Sequence, residues 1–140
     1  MAFYIKNQDG DYVNTDCIVA VSKDFRVENA FCVITNGEGA TITFKYSCEE
    51  ECVDSLSNLL RELDNKKTDR WVFLSEVGFA VKANVVRYIQ RDGEGFKFET
   101  DSGVWHIHCE NEQYIEECKD LLLGRRTESN LEEFGMHKLM

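Results

Sequence analysis

The fold is decided by residues 41–65, which read TITFKYSCEEECVDSLSNLLRELDN. Apolar and polar side chains alternate over Thr41 to Tyr46, which predicts a half-buried strand. From Ser47 the period becomes helical, because Ser47 and Glu50 form a capping box and acidic residues fill the first turn. A single apolar stripe then runs through about Asn65, formed by Cys48, Cys52, Leu56, Leu59, Leu60 and Leu63. The stretch therefore predicts a sheet followed by a helix that packs on it.

The strands before this stretch and the segments after it follow one order. A shift of 67 residues superposes the early strands of the two halves, and a shift of 62 superposes the helices. This order predicts an internal repeat in which the second unit is shorter between its second and third strands. In the first unit the predicted strands are Phe3–Asn7, Tyr12–Ser22 with a bend at 14–16, Ala30–Thr35 and Thr41–Tyr46. In the second unit they are Trp71–Ser75, Phe79–Arg91, Phe96–Thr100 and Val104–Cys109.

The predicted fold class is α+β, with two tandem β-β-β-β-α repeats followed by a short C-terminal tail. Each repeat is expected to be an antiparallel curved sheet with one C-terminal helix packed on it. The predicted divisions are 1–67, 68–124 and a tail at 125–140. Asn111 is expected to cap the second helix, and Gly124 to follow its end. The tail is apolar enough to dock on the core or a partner, or else it is a frayed terminus.

The composition excludes some classes of function and sets an expected compartment. The 26 acidic and 16 basic residues give a net charge of -10, which argues against a general basic surface for nucleic acid and against docking on anionic membranes. No signal peptide and no apolar run of transmembrane length are recognised. The six cysteines form no CxxC pair, and four of them stand at apolar positions of a strand or helix pattern. They are expected to be structural thiols in a reducing compartment, with disulfides or metal binding as alternatives, so the predicted location is cytoplasmic.

A search for catalytic motifs predicts no enzyme, no cofactor and no metal. The sequence lacks GxSxG and HExxH, and the glycine-containing segments 36–39 and 92–95 are typical of hairpin turns rather than phosphate cradles. His106 and His108 share one face of a predicted strand, with Trp105 and Ile107 expected on the core side. A zinc or small-ligand protein that uses these two histidines is kept as an alternative.

The prediction of function is based on the acidic surface. Residues 1–67 hold 12 acids and 7 bases and residues 68–140 hold 14 and 9, so each half is -5. First-turn acids also stabilise a helix and aid solubility, which is the competing interpretation. The functional interpretation assigns contact with a basic partner to ten acidic residues: Glu49, Glu50, Glu51, Asp54, Glu112, Glu116, Glu117, Asp120, Asp9 and Asp11.

In size and charge balance the chain resembles anti-CRISPR and other anti-defence inhibitors of phages and mobile elements, and immunity proteins that block basic nuclease toxins. This resemblance covers composition alone. It implies a non-enzymatic inhibitor that occupies the basic site of a nucleic-acid-binding enzyme, with no direct contact to nucleic acid or membrane. The alternative is a structural or adaptor module that self-associates, for instance as a homodimer, through strand edges or the apolar tail.

Overall fold

The computed structural model describes residues 3–24, 26–37, 41–66, 69–74 and 78–124. The predicted tail at 125–140 lies outside these ranges. Within them the chain forms strands, two α-helices and two short 3₁₀ turns. In chain order the strands and helices are Tyr4–Lys6 (β1), Tyr12–Asn14 (β2), Ile18–Lys23 (β3), Ala30–Thr35 (β4), Thr41–Lys45 (β5), Glu49–Asp64 (α1), Trp71–Leu74 (β6), Phe79–Lys82 (β7), Tyr88–Arg91 (β8), Gly95–Thr100 (β9), Gly103–His108 (β10) and Glu112–Leu122 (α2).

The described strands form three antiparallel sheets, which confirms the mixed α+β class. The largest has the order β5-β4-β3-β7-β6, a second has the order β10-β9-β8, and β1 pairs with β2. The five-stranded sheet therefore joins strands from both sides of the predicted division at 67/68. The expected arrangement, in which each repeat builds its own sheet, is not confirmed, and the division itself stays a prediction.

Two predicted long strands are each interrupted by a 3₁₀ turn. The Tyr12–Ser22 segment breaks at Thr15–Cys17, where the Asn14 side chain accepts a hydrogen bond from the Asp16 N–H (2.9 Å). The Phe79–Arg91 segment breaks at Ala83–Val85. The second break separates β7 in the five-stranded sheet from β8 in the three-stranded sheet. Asx-type bonding competes with strand pairing, which explains the first interruption.

The five-stranded sheet is the central layer, and it is buried on both faces. On one face Val21, Phe31 and Val33 pack against the leucines of α1. On the other face Val81 and Phe79 pack against β9, β10 and α2. Because side chains alternate along a strand, α1 and α2 lie on opposite sides of this sheet.

The helices agree with the apolar stripes that predict them, but their caps differ. Asn111 caps α2 as predicted, since its side chain accepts a hydrogen bond from the Tyr114 N–H (3.2 Å), and Gly124 follows with φ +81°. The predicted Ser47 cap of α1 is wrong: the capping position is Cys48, and the Ser47 hydroxyl donates to the Glu51 carboxylate (3.2 Å). Neither helix has the length and apolar composition that crossing a membrane requires.

Candidate ligand-binding cleft

A cleft of about 700 Å³ opens between the five-stranded sheet and strand β10. Strands β3, β4, β5 and β7 supply one wall, and residues 105–108 of β10 supply the other. Its volume and its position between two layers are typical of a small-molecule site. The described lining residues are Ser22, Lys23, Asp24, Arg26, Cys32, Ile34, Thr41, Phe79, Trp105, His106, Ile107 and His108.

The floor of the cleft is apolar and partly aromatic. The Trp105 ring stacks on Phe98 at 5.7 Å between centroids and lies at a tilt 5.9 Å from Phe79. Ile34 and Ile107 are buried beside these rings. Since Trp105 is fixed by two other aromatic rings and only half-buried, it presents a rigid apolar surface to the cleft.

One end of the cleft is cationic. Lys23 ends strand β3, and the charged run continues into the following loop, where the Arg26 side chain is 86% exposed. The Arg26 guanidinium lies 3.6 Å from the Asp24 carboxylate. Lys23 and Arg26 come at and after the end of the buried strand β3, so two cationic side chains lie at the mouth of an apolar cleft.

Asp24 holds the loop in place, with its side chain only 3% exposed. One carboxylate oxygen accepts hydrogen bonds from the Arg26 N–H (2.9 Å) and the Val27 N–H (3.3 Å). The other accepts from the Cys32 thiol (3.5 Å). The Arg26 backbone bond is the main reason that the pKa of Asp24 lies below its usual value. Asp24 is therefore an ionised, hydrogen-bonded anchor of the loop.

Cys32 is a buried free thiol on the cleft wall. Burial is the main cause that raises the pKa of Cys32, and its sulfur also lies 3.7 Å from the Thr43 hydroxyl. A thiol that stays protonated is a poor nucleophile. All six cysteines are free thiols, and four of them are buried.

A second cavity, of about 540 Å³, lies on the α1 side of the same loop. It shares Lys23, Asp24 and Arg26 with the cleft and adds Cys52 and Leu56 of α1. Lys23, Asp24 and Arg26 thus lie between two concave surfaces. Glu28 and Glu49 line this second cavity, so it has a more mixed charge than the cleft.

His106 and His108 are exposed at the rim of the cleft, on the face predicted for them, while Ile107 is buried. Nδ1 of His106 lies 2.8 Å from the Asp92 carboxylate. Nε2 of His108 lies 3.8 Å from the Glu94 carboxylate, beyond hydrogen-bond distance. The two histidines therefore differ in how firmly they are partnered.

The predicted partner-binding residues lie on separate surfaces. Glu49, Glu50, Glu51 and Asp54 are exposed on the first turns of α1, whereas Glu112, Glu116, Glu117 and Asp120 lie on α2, across the five-stranded sheet.

Several of the predicted partner-binding acids have local partners. Glu112 accepts from the Arg91 guanidinium (2.7 Å), and Glu116 pairs with Lys119 (3.4 Å). Asp9 and Asp11 belong to the turn after β1, where both of their N–H groups donate to the Asn7 side chain. The role of the ten acids in partner binding stays a prediction.

Most of the residues that line the cleft are not among those predicted from the sequence. The sequence-based prediction includes His106 and His108 but not Lys23, Asp24 or Arg26. The available signal is a charged run placed directly after the apolar strand 18–21.

Comparisons with known proteins find a similar solved structure but no matching family model and no matching curated protein. Among solved structures, the chain is similar to the LytTr DNA-binding domain of a putative methyl-accepting/DNA response regulator from Bacillus cereus. The identity is 20%, the match covers 88% of this chain and 96% of that one, and the TM-score is 0.48.

This neighbour contradicts the predicted function. It is described as a DNA-binding domain, whereas the prediction was an anti-CRISPR-like or immunity-type inhibitor that binds a protein and makes no direct contact with nucleic acid. The predicted inhibitor of phage or mobile-element type is therefore wrong, and so is the predicted basic protein partner without direct nucleic-acid contact. The comparison gives no argument for DNA binding by this chain, because the similarity is this low.

Proposed function

We propose that the protein binds a small anionic ligand with an apolar, planar body in the cleft and does not transform it. The observation that carries the proposal is an aromatic floor beside two cationic side chains in a cavity of about 700 Å³. Ligand sites in proteins are concave and mostly apolar, with a few placed polar groups that fix orientation.

The charges of the cleft favour an anion. Lys23 and Arg26 are cationic, and the ionised Asp24 carboxylate, 3.6 Å from the Arg26 guanidinium, offsets one of these two charges, so one net positive charge remains among the three. The Asp24 oxygens already accept three hydrogen bonds from the protein. Arginine binds carboxylate, sulfonate or phosphate oxygens in a planar, two-pronged geometry. Trp105 then offers the flat surface on which a ring attached to the anionic group would lie.

Binding without catalysis is favoured by the state of the reactive groups in the cleft. The Cys32 thiol is buried with a raised pKa, so it is not an activated nucleophile. The Asp24 carboxylate is occupied by loop hydrogen bonds and is not a general base.

The test uses 1-anilinonaphthalene-8-sulfonate, an aromatic sulfonate whose fluorescence rises in apolar sites. In a Trp71→Phe background Trp105 is the single tryptophan, because the chain has two. We expect saturable energy transfer from Trp105 to the bound probe. Arg26→Glu should weaken binding by on the order of tenfold, since it replaces an attraction by a repulsion.

The matched control is Arg61→Glu. Arg61 is also an exposed arginine, but it lies on α1 and is not among the described residues that line the cleft. We expect it to leave probe affinity unchanged. Equal losses in both variants, or an affinity that neither variant changes, would contradict the proposal. Circular dichroism of each variant checks that the fold is retained.

We also infer that the chain consists of two related units, with limits at 1–67, 68–124 and a tail beyond. The support is the element order, which runs β-β-3₁₀-β-β-β-α in both segments. The first strand pair of the second unit then belongs to the sheet of the first. A cytoplasmic location belongs to the same proposal, and its support is the six free thiols.

A further inference from the structure

We propose that Glu94, His108 and Glu110 form a binding site for a divalent transition-metal ion of the zinc class. The site is on the open end of the β9–β10 hairpin, where Gly95 pairs with His108, and not at the turn between Thr100 and Gly103. It does not depend on the anionic ligand proposed above, because its three ligand groups are defined by their own geometry.

The backbone brings these three residues together. His108 is the last residue of β10 and lies opposite Gly95 in the register with β9. One step further, the Cys109 N–H donates to the Glu94 carbonyl oxygen (2.8 Å). Cys109 is buried, so the residues on either side of it, His108 and Glu110, turn outward beside Glu94.

The distances suit a shared ion. One ligand atom from each residue lies within 4.8 Å of the others. On a tetrahedral zinc ion with bonds of about 2.1 Å, ligand atoms lie about 3.4 Å apart. All three side chains are exposed, so small rotations of their outer bonds close the difference without moving the strands.

The chemistry of the donor set also fits. One imidazole nitrogen and two carboxylate oxygens are ligand types that zinc accepts, with water in the fourth position. Two carboxylates balance the charge of a divalent ion. His108 and Glu94 stand 3.8 Å apart without a direct hydrogen bond, so a metal need not displace one between them. His106, by contrast, is hydrogen-bonded to Asp92 at 2.8 Å.

That contrast supplies the control. Isothermal titration of the full chain with Zn²⁺ is expected to show a site whose affinity falls on the order of tenfold or more in His108→Ala and in Glu94→Gln. His106→Ala, on the same face of the same strand, is expected to bind Zn²⁺ as the unmodified chain does. All three positions are exposed, so the variants are expected to fold.

A second measurement separates this site from the cysteines. Co²⁺ held by nitrogen and oxygen lacks the near-ultraviolet thiolate charge-transfer band that a cysteine site would produce. The proposal predicts visible Co²⁺ absorption without that band, and its loss in His108→Ala. No Zn²⁺ binding, equal binding in His108→Ala, or a thiolate band that accounts for all bound Co²⁺ would overturn it.

Discussion

Gly95 sets the spacing between the chain entering β9 and the chain leaving β10. A Cβ atom at this position would lie 1.9 Å from the backbone carbonyl oxygen of Ile107. Its φ is not in the left-handed region, so the need for glycine is steric and not conformational. The close approach also places Glu94 opposite Cys109, next to the proposed metal ligands.

Gly95→Ala is therefore expected to destabilise the protein by about 2 kcal/mol or more, because backbone must move to admit the methyl group. Urea unfolding measures the change. Lys97→Ala, on the same strand, is expected to cost less than about 1 kcal/mol, since it removes a partly exposed side chain and forces no rearrangement. Similar losses in the two variants would argue against the steric explanation.

The sequence predicts the role of a single residue where its side chain makes a local hydrogen bond. Asn111 was recognised as a cap because its amide oxygen reaches an N–H three residues away. Ser47 was misread because Ser47 and Cys48 both precede the acidic turn, and sequence does not show which one ends the extended backbone. Asp24 belongs to a charged run, but that run does not reveal its role, since the role depends on hydrogen bonds that include one from Cys32 on the neighbouring strand.

At the scale of elements, Arg70 joins α2 to the start of β6. Its guanidinium donates to the carbonyl oxygens of Leu121 and Leu122, the latter at 3.0 Å. These carbonyls are in the last turn of α2, beyond the regular helical hydrogen bonds, and the Leu121 oxygen also accepts one from the Gly124 N–H (3.2 Å). A positive charge there also complements the helix dipole.

Arg70→Ala is expected to lower the free energy of unfolding by about 1 to 3 kcal/mol, as for other hydrogen bonds to charged groups. Hydrogen exchange should show the loss concentrated in α2. Arg87→Ala is the control: Arg87 forms an exposed ion pair with Glu99 (3.1 Å), which contributes at most about 1 kcal/mol. If the control lost as much stability, the clamp on α2 would not be the cause.

Elements defined by periodicity were predicted, and elements defined by distant pairing were not. The apolar stripes gave both helices, and alternation gave β5. The sequence of Phe79–Arg91 predicts one strand, because no proline or glycine divides it, yet its two halves join different sheets. The cleft escaped prediction for the same reason, since its walls come from strands between Ser22 and His108 that meet only after folding.

The whole molecule carries a strong negative charge, and several of its carboxylates depend on specific partners. The Arg26 N–H bond to Asp24, the Lys66 bond to Asp16 and the Arg91 bond to Glu112 are the main causes that lower the pKa values of those three carboxyls. Their usual pKa values are 3.8 for Asp and 4.5 for Glu. A lowered folded-state pKa stabilises the protein above the usual value, and the stabilisation disappears as the pH falls through the lowered one.

Stability is therefore expected to be highest near neutral pH and to fall between about pH 5 and pH 2, measured as urea midpoints across that range. Asp24→Asn tests the main buried contributor. It should lower stability at neutral pH and weaken the decline in acid, because one of the titrating groups is gone. A decline of unchanged size in the variant would show that Asp24 does not contribute to it.

The pairing of β3 with β7 affects how the chain folds during its synthesis on the ribosome. Residues up to 66 supply three strands of the central sheet, and the neighbouring pair comes only with residues 71–82. Until that later pair has left the exit tunnel, one edge of β3 stays unsatisfied, and contacts of such sequence separation form slowly. The nascent first half is thus the stage at which we expect chaperone dependence and aggregation to be greatest.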